Sequence, residues 1–191
     1  MSYRITDTHV YFLGSYFSQW AKTPFSGVLP TVRATSSGVL LRPLGILRFN
    51  CCEQYMMAAK ASVFNDQETL KAIMDAEHPA EQKKLGRLVK NFDQATWESV
   101  ARDIVYLGNF YKFTQHADAR EFLDESGTKT IVEGADYDPV WGVKIDWADP
   151  AIEDEANWKG TNWLGQCIMR VREDITAHGL SADPWKLERP W

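Results

Sequence analysis

The sequence predicts an α+β fold in which a single helix-rich domain packs around a small β-sheet. The first 50 residues mix aromatic residues with Gly, Pro and Ser and contain short apolar runs, which is typical of strands and turns. Residues 51–125 contain helix-forming stretches with apolar positions at helical spacing. The chain has 191 residues, 45% of them hydrophobic, which is enough for one core. We therefore expect one domain over residues 1–191, with its core at about 9–179 and a polar tail at 180–191.

The first three helices are delimited by the residues that flank them. Residues 51–63 contain many good helix formers and no Gly or Pro, which predicts a helix. Asn65 or Asp66 can cap a second helix, because acidic residues follow early and apolar residues recur at helical spacing. A His-Pro pair ends that helix. Its proline, Pro79, suits the first turn of a third helix that is expected to run to about residue 89.

The longest periodic segment is expected to form the central core helix. It follows Asp93, and one of its faces carries the apolar residues Trp97, Val100, Ile104, Leu107 and Tyr111. A short helix over residues 117–125 is expected to end at Gly127, a residue suited to a helix C-cap. The β-branched residues of the segment 129–134 then predict a strand.

Residues 135–162 are expected to form a long structured loop. They contain three Trp and two Pro and show no helical period. Loops of this kind are more often functional than merely connecting. Thr161 or Asn162 then opens the last helix, which Gly179 closes. The tail at 180–191 either packs on the body or frays.

Composition and charge narrow the functional classes. With 26 acidic and 21 basic residues the formal net charge is -5, so a nucleic-acid partner would require a local basic patch. No stretch approaches the roughly 18 apolar residues of a membrane span, and the N-terminus lacks the apolar core of a signal peptide, so a cytoplasmic location without a membrane partner is expected. Cys51, Cys52 and Cys167 form no CxxC pair and the four His show no metal-ligand spacing, so no disulfide framework, metal or cofactor is predicted.

Glu53 and Lys60 are the first candidates for chemistry. They are seven residues apart, which places them on the same side of the predicted helix with Met56 and Met57 between them. A carboxylate and an amine on such a face could form a desolvated acid/base pair that lines a pocket. The alternative is the solvated edge of an amphipathic helix, and spacing alone favours that alternative.

Two other segments carry groups suited to a ligand. Arg87 and Asn91 lie where the third helix is expected to end and could present a cation and an amide to a phosphate, although a cation there also simply complements the helix dipole. Trp141 and Gly142 could supply an aromatic platform with a close backbone approach. The alternative is a core tryptophan beside a turn glycine.

Four sequence blocks, in one order along the chain, resemble the NADAR (YbiA-like) family. They cover roughly residues 9–173. The blocks are Cys52-Glu53-Gln54-Tyr55-Met56-Met57 with Lys60-Ala61, Leu85-Gly86-Arg87 with Lys90-Asn91-Phe92, Val132-Glu133 with Tyr137-Asp138 and Trp141-Gly142, and Trp158-Lys159-Gly160 with Asn162 and Leu164-Gly165. The family's N-terminal Phe-Ser-Asn-Phe block is replaced here by Phe17-Ser18-Gln19-Trp20, in which glutamine lengthens the amide by one methylene. The stretch 27–48 is also longer than expected between these blocks.

The resemblance implies an N-glycosidase that hydrolyses the bond between a ribose and the amine of a base. The family acts on two kinds of substrate, which are ribosylaminopyrimidine phosphates of the riboflavin pathway and ADP-ribose attached to guanine. Both reactions require a stabilised, oxocarbenium-like ribose, a proton for the departing amine, and water or a protein nucleophile. The resemblance assigns acid/base or ribose-orienting work to Glu53. Lys60 is expected either to bind phosphate or to attack C1 of the sugar.

The remaining site residues are expected to contact the ligand. Tyr55 and Trp141 would stack on the base or ribose, with a close backbone approach at Gly142. Arg87, Asn91 and Asn162 would contact phosphate and hydroxyl groups. Ser18 and Gln19 occupy the family's N-terminal block. The expected partner is a nucleotide-like small molecule or an ADP-ribosylated nucleic acid. A non-catalytic module that binds ADP-ribose or an NAD-derived ligand is the first alternative, and a purely structural protein is the second.

Overall fold

The computed structural model describes residues 2–36, 38–189 and 191, and within them it has six α-helices and five β-strands. In chain order these are β1 (Ser2–Ile5), β2 (His9–Gly14), β3 (Phe25–Thr35), β4 (Gly38–Phe49), α1 (Cys52–Val63), α2 (Gln67–Asp75), α3 (Pro79–Gly86), α4 (Gln94–Gln115), α5 (Ala117–Glu125), β5 (Thr130–Glu133) and α6 (Trp163–His178). The α+β class is confirmed. No helix in this described part of the chain has the length and apolar character needed to cross a bilayer.

The described residues group into two compact units. One unit comprises Met1–Ala21 and His116–Trp191, and we call it the sheet unit. The other comprises Lys22–Gln115, and we call it the helical unit. The expectation of one domain over residues 1–191 stays a prediction.

Helix α1 is the centre of the helical unit. Helices α2, α3 and α4 and strand β3 all pack against it. Eleven of its twelve residues are buried, and the exception is Lys60. A helix that is enclosed on all sides needs small or apolar residues around its whole circumference, which explains the Met-Met-Ala-Ala run at its middle.

A buried polar network holds the first turn of α1. The Gln54 amide donates to the carbonyls of Ile73 and Ala76, at 3.1 and 3.3 Å, and accepts a hydrogen bond from the Asn50 backbone N–H at 2.7 Å. Gln82 of α3 donates to the same Ala76 carbonyl at 2.8 Å. The network therefore fixes the end of α2 and the body of α3 against the start of α1, with its buried amides paired.

Two glycines let the neighbouring helices reach α1. A Cβ at Gly108 of α4 would lie 2.8 Å from Cδ1 of the Tyr55 ring, and a Cβ at Gly86 of α3 would overlap Sδ of Met57. Both approaches are closer than van der Waals contact, so a Cβ at either position would displace the Tyr55 ring or the Met57 side chain from its packed position.

The sheet unit contains a three-stranded sheet of order β1-β2-β5. Strand β2 runs antiparallel to β1 and parallel to β5, with His9 opposite Thr130. Helix α6 packs on β5, and a Cβ at Gly165 in its first turn would overlap the Ile131 carbonyl. This close approach brings the start of α6 onto the strand.

The expected long loop joins the edge of this sheet. The Val143 N–H donates to the Glu133 carbonyl at 3.0 Å, and the Trp147 N–H donates to the Gly134 carbonyl at 3.1 Å. Two short 3-10 turns, Pro150–Glu153 and Glu155–Asn157, interrupt the loop. Buried residues from the loop and the sheet form a small core, made of Tyr11, Val132, Val143 and Ile152.

The predicted boundaries hold within a few residues, with two differences. Helix α3 ends at Gly86 instead of about residue 89, because the Leu88 N–H bonds to the Leu85 carbonyl at 2.8 Å in a tighter turn. Strands β3 and β4 have eleven and twelve residues, whereas short strands were expected.

Lys112 of α4 is a buried lysine inside the helical unit. Its side chain is 0% exposed, and its Nζ has no hydrogen-bond partner among the described residues. The Nζ lies 4.5 Å from the centroid of the Phe113 ring. Burial disfavours the ammonium and therefore holds the pKa of Lys112 below its ordinary value.

Replacing Lys112 with Met should raise the free energy of unfolding at neutral pH by about 1–3 kcal/mol, because the folded state no longer buries an unpaired amine. The gain should be largest at low pH, where lysine is charged in both states. It should shrink as pH rises from the lowered folded pKa towards about 10.4, the ordinary lysine value, because the unfolded lysine then also becomes neutral. Urea unfolding at a series of pH values measures the difference in the free energy of unfolding between Lys112→Met and the wild type. The exposed Lys71→Met is the control, and an equal pH dependence in both variants would contradict the assignment.

Candidate functional site

Helix α1 carries the two charged candidates, Glu53 and Lys60. Their separation of seven residues places them about 10 Å apart along the helix axis at 1.5 Å per residue. Glu53 is 5% exposed, whereas Lys60 is half-buried. The burial of this helix excludes the solvated-edge interpretation. A buried carboxyl group and a partly open amine therefore lie on one side of a core helix.

The Lys60 amine is bordered by aromatic rings. Its Nζ lies 4.2 Å from the centroid of the Phe92 ring and 5.6 Å from that of Trp97. Burial, with a smaller contribution from the nearby Arg87 cation, lowers the pKa of Lys60. The aromatic faces attract the charged form, so they oppose this shift. Among the described residues Lys60 forms no ion pair with a carboxylate.

The connection between α3 and α4 supplies the groups near Lys60. It is pinned to α2, because the Lys90 N–H donates to Asp66 at 2.9 Å and the Lys90 amine bonds to Glu68 at 2.7 Å. Arg87 is exposed and occupies the C-cap of α3, a position that also fits the helix-dipole interpretation. Asn91 is exposed and has a left-handed backbone with φ of 56°. The phosphate roles of Arg87 and Asn91 stay predictions.

Tyr55 lies in the core instead of on an open face. Its hydroxyl donates to the Val28 carbonyl of β3 at 2.9 Å, and its ring packs against Phe25, Phe49 and Tyr111. The side chain is 0% exposed. Tyr55 therefore anchors β3 to α1, and its expected stacking on a base or ribose stays a prediction.

In the sheet unit, residues 14–21 border a cavity of about 370 Å³. Its lining residues are Gly14, Ser15, Tyr16, Ser18, Trp20 and Ala21. Ser18 is one of the predicted site residues, and Gln19 is adjacent to it in the chain. Aromatic walls with a few hydroxyl groups, at a volume above about 300 Å³, are typical of pockets for small organic ligands.

Trp141 and Gly142 differ in exposure. Trp141 is partly exposed and meets the Trp163 ring edge-on at a centroid distance of 5.8 Å. Gly142 is buried, and a Cβ there would lie 2.9 Å from the Glu133 carbonyl. Gly142 therefore serves a close approach between two backbone segments of this unit. The stacking role of Trp141 stays a prediction.

Asn162 is committed to β5. Its Nδ2 donates to the Ile131 carbonyl at 2.9 Å, and its Oδ1 accepts from the Glu133 N–H at 3.1 Å. The residue is buried, it has a left-handed φ of 51°, and it makes no side-chain cap to α6. The side-chain amide therefore bonds to the backbone of β5 as a neighbouring strand would. Asn162 thus has an architectural role beside β5, and its expected contact with phosphate or hydroxyl groups stays a prediction.

Sequence reasoning did not connect the aromatic neighbours of Lys60 with the site. Trp97 was placed on the core face of the central helix, and Phe92 was only part of a motif. The signal was available in part, since Phe92 lies five residues from Arg87 in the same connection. Within the residues that the structure describes, no three His, Cys, Asp or Glu side chains form a group able to hold a metal ion.

Comparisons with known proteins agree on one family. The family model described as the NADAR domain matches residues 11–176. Protein irg-1 of Caenorhabditis elegans is 35% identical over 132 residues, which cover 68% of this chain and 62% of irg-1. N-glycosidase R617 of Acanthamoeba polyphaga mimivirus is 34% identical over 177 residues, which cover 88% of this chain and 97% of that protein. The NMR structure of the E. coli protein YbiA has a TM-score of 0.65 at 22% identity, covers 96% of this chain and 94% of that chain, and supports the fold.

Replacing Asn162 with Ala should lower the free energy of unfolding by about 2–4 kcal/mol, because a buried carbonyl and a partly buried N–H of β5 lose their partners. Denaturant unfolding followed by circular dichroism measures this loss. Asn157→Ala is the matched control, since Asn157 is exposed and makes one side-chain hydrogen bond, to the Ala151 carbonyl. Equal stabilities for the two variants would show that the amide does not hold β5.

Proposed function

Because this chain belongs to the NADAR domain family, we propose that it is an N-glycosidase that hydrolyses the bond between a ribose and the amine of a purine- or pyrimidine-like base. The family match spans residues 11–176 and includes both Glu53 and Lys60. The relative named N-glycosidase R617 aligns over 97% of its length, which supports the same class of reaction here. The resemblance noted from the four sequence blocks is confirmed at the level of the family.

The observation that carries the proposal is the position of Lys60 on α1. It is the one residue of that helix outside the buried class, and it lies on the side that carries Glu53. Its lowered pKa increases the fraction of free amine near neutral pH, which a nucleophile needs. A helix packed on all sides also holds both groups in fixed positions, as positioning of reactants requires.

We assign the covalent step to Lys60. The bond between C1 and the base nitrogen breaks, its electron pair stays on that nitrogen, and the departing amine takes up a proton. The Lys60 amine bonds to C1. The bond between C1 and the ring oxygen then breaks with its electron pair on that oxygen, which takes up the proton lost from Nζ, and a protonated Schiff base joins Nζ to C1. Water then adds to C1, and cleavage of the C1–Nζ bond releases the sugar and restores the lysine.

We assign one of two roles to Glu53: it protonates the departing amine, or it orients the ribose. Its carboxyl group is buried on the same side of α1, where it can give a proton to the departing amine or hold a ribose hydroxyl. Arg87 lies close enough to Lys60 to lower its pKa, and the Arg87 guanidinium favours a substrate that carries phosphate. Both ribosylaminopyrimidine phosphates and ADP-ribosylated guanine meet that requirement.

Glu53→Gln and Lys60→Ala should each lower kcat by at least about 100-fold, the scale of a lost acid/base group or nucleophile. Wild-type turnover should rise with pH through the lowered pKa of Lys60, because only the free amine attacks, and Lys60→Ala should lack this rise. Borohydride should trap a covalent adduct on Lys60 during turnover. The control is Lys84→Ala, an exposed lysine of α3. Circular dichroism checks each fold, and wild-type rates in both site variants would remove these residues from the mechanism.

The assay compares three substrates with the wild-type protein. These are ADP-ribosylated guanine in an oligonucleotide, the same guanine as the free nucleoside, and the ribosylaminopyrimidine phosphate. Mass spectrometry should detect the free base with ADP-ribose or ribose phosphate. No release from any of the three, together with micromolar binding of ADP-ribose, would instead identify a binding module.

A further inference from the structure

The cavity of about 370 Å³ that follows strand β2 in the sheet unit has the properties of a site for a flat, uncharged ring. Two aromatic residues, Tyr16 and Trp20, and two serines, Ser15 and Ser18, are among the residues that line it. Trp20 is 45% exposed, whereas Ser15 is only 5% exposed. Among the described residues that line this cavity none is charged, so the cavity suits a planar organic group better than a phosphate.

Two consecutive turns, each begun by a serine, form the wall of the cavity. Ser15 Oγ accepts a hydrogen bond from the Phe17 N–H at 3.1 Å, and Ser18 Oγ accepts one from the Trp20 N–H at 3.1 Å. Serine side chains stabilise turns in this way. The backbone closes both turns, since the Ser18 N–H donates to the Ser15 carbonyl at 3.0 Å and the Ala21 N–H donates to the Ser18 carbonyl at 3.2 Å. The backbone therefore fixes the positions of both hydroxyl oxygens.

Phe17 anchors these turns to the core of the sheet unit. Its side chain is 0% exposed, and the centroid of its ring lies 5.5 Å from that of Phe12 and 4.7 Å from that of Phe122. The Tyr16 ring packs on the same Phe122 ring at a centroid distance of 5.9 Å. A wall that is held in this way is formed before a ligand arrives, which lowers the entropy cost of binding.

Both serine hydroxyl groups keep a hydrogen that they can donate to a ligand. A serine hydroxyl has one O–H donor and two acceptor lone pairs, and the backbone N–H of each turn occupies a lone pair only. Among the described residues, neither Ser15 nor Ser18 donates its hydroxyl hydrogen to an acceptor. Because Ser15 is buried, a ligand acceptor that meets its hydroxyl forms a hydrogen bond in a low-dielectric setting, where such bonds are stronger than in water. The cavity therefore suits a planar ring that carries two acceptor atoms.

We propose that this cavity binds the base of a guanine glycoside. Guanine presents two acceptors, N7 and O6, on one edge, whereas adenine presents one acceptor and one donor there. The amino group of guanine, N2, lies on the other edge, so a ribose attached to that amine leaves N7 and O6 open to the serines. The hydroxyls of Ser15 and Ser18 donate to these two acceptors, and the rings of Tyr16 and Trp20 stack on the purine.

The inference rests on the proposed N-glycosidase function in one respect, because it selects between the two substrate types. A guanine site favours ADP-ribosylated guanine over the ribosylaminopyrimidine phosphate. The pyrimidine has a single ring and lacks the five-membered ring that supplies N7, so it offers one acceptor fewer and a smaller stacking area.

The first test measures the affinities of four nucleosides for the wild-type protein by NMR titration. Guanosine and inosine both carry N7 and O6 and should bind with similar affinity. Adenosine has a donor in place of O6, and 7-deazaguanosine lacks the N7 acceptor. Each of these two should bind about fivefold more weakly than guanosine, the scale of one lost hydrogen bond.

Variants then assign guanosine binding to the cavity. Trp20→Ala should weaken binding at least about fivefold, because the stacked base loses an aromatic partner. Ser15→Ala and Ser18→Ala should each weaken binding and reduce the preference for guanosine over adenosine and 7-deazaguanosine. Ser18→Thr retains the hydroxyl group and should keep that preference. The matched control is Ser99→Ala, since Ser99 is an exposed serine of α4 that donates to the Thr96 carbonyl at 2.7 Å, and it should bind guanosine as the wild type does.

Three results would overturn the inference. They are no binding of guanosine by the wild type at millimolar concentration, equal affinities for guanosine, adenosine and 7-deazaguanosine, and wild-type guanosine affinity in Trp20→Ala and in both serine-to-alanine variants. Circular dichroism excludes misfolding as the cause of lost binding in a variant.

The base site and the proposed function fail separately. If both hold, Ser15→Ala and Ser18→Ala raise KM for ADP-ribosylated guanine, whereas Ser99→Ala does not. Guanosine binding that depends on these serines, without cleavage of any glycoside, would contradict the proposed function and leave the base site standing. Cleavage of ADP-ribosylated guanine with an unchanged KM in both serine variants would overturn the base site and leave the proposed function standing.

Discussion

Enclosure of α1 is the constraint on which the helical unit depends. Because α1 is almost fully enclosed, its buried amides need partners from its neighbours, since a buried unpaired amide costs about 1–3 kcal/mol. Gln54 meets this requirement through carbonyls at the end of α2, and Gln82 reaches the same place from α3. The positions of α2 and α3 follow from that pairing. The same enclosure requires glycine at Gly86 and Gly108, where the neighbouring helices touch α1.

Local features of the sequence account for most of the helices. Asp66 caps α2 by accepting from the Thr69 N–H at 3.1 Å, and Gly127 has a φ of 55° just beyond α5, as expected for residues of these types. The long antiparallel pair of strands β3 and β4 was predicted only as short strands. Its length depends on cross-strand pairing between residues as far apart as Phe25 and Phe49, and local composition does not report that pairing.

The candidate site could be predicted in outline, because seven-residue spacing on a helix is a local property of Glu53 and Lys60. Their surroundings could not, since Phe92 and Trp97 reach Lys60 from outside α1. For Asn162, the local sequence favours a role that the structure does not show. An asparagine at the start of a helix is an ordinary cap, yet its left-handed backbone turns the amide towards β5 instead. Only the tertiary structure distinguishes a residue that holds a strand from one that contacts a ligand.

The Phe25–Phe49 end of strands β3 and β4 and the candidate catalytic helix α1 share one aromatic cluster. Tyr55 of α1 packs against Phe25 and Phe49 and donates its hydroxyl to the backbone of β3, while Tyr111 of α4 closes the cluster. Gly27 lets β3 approach Tyr111, because a Cβ there would lie 2.6 Å from the ring. Close packing of this kind leaves β3, α1 and α4 little freedom to move relative to one another. The cluster therefore fixes α1, which carries Glu53 and Lys60, against β3 and α4.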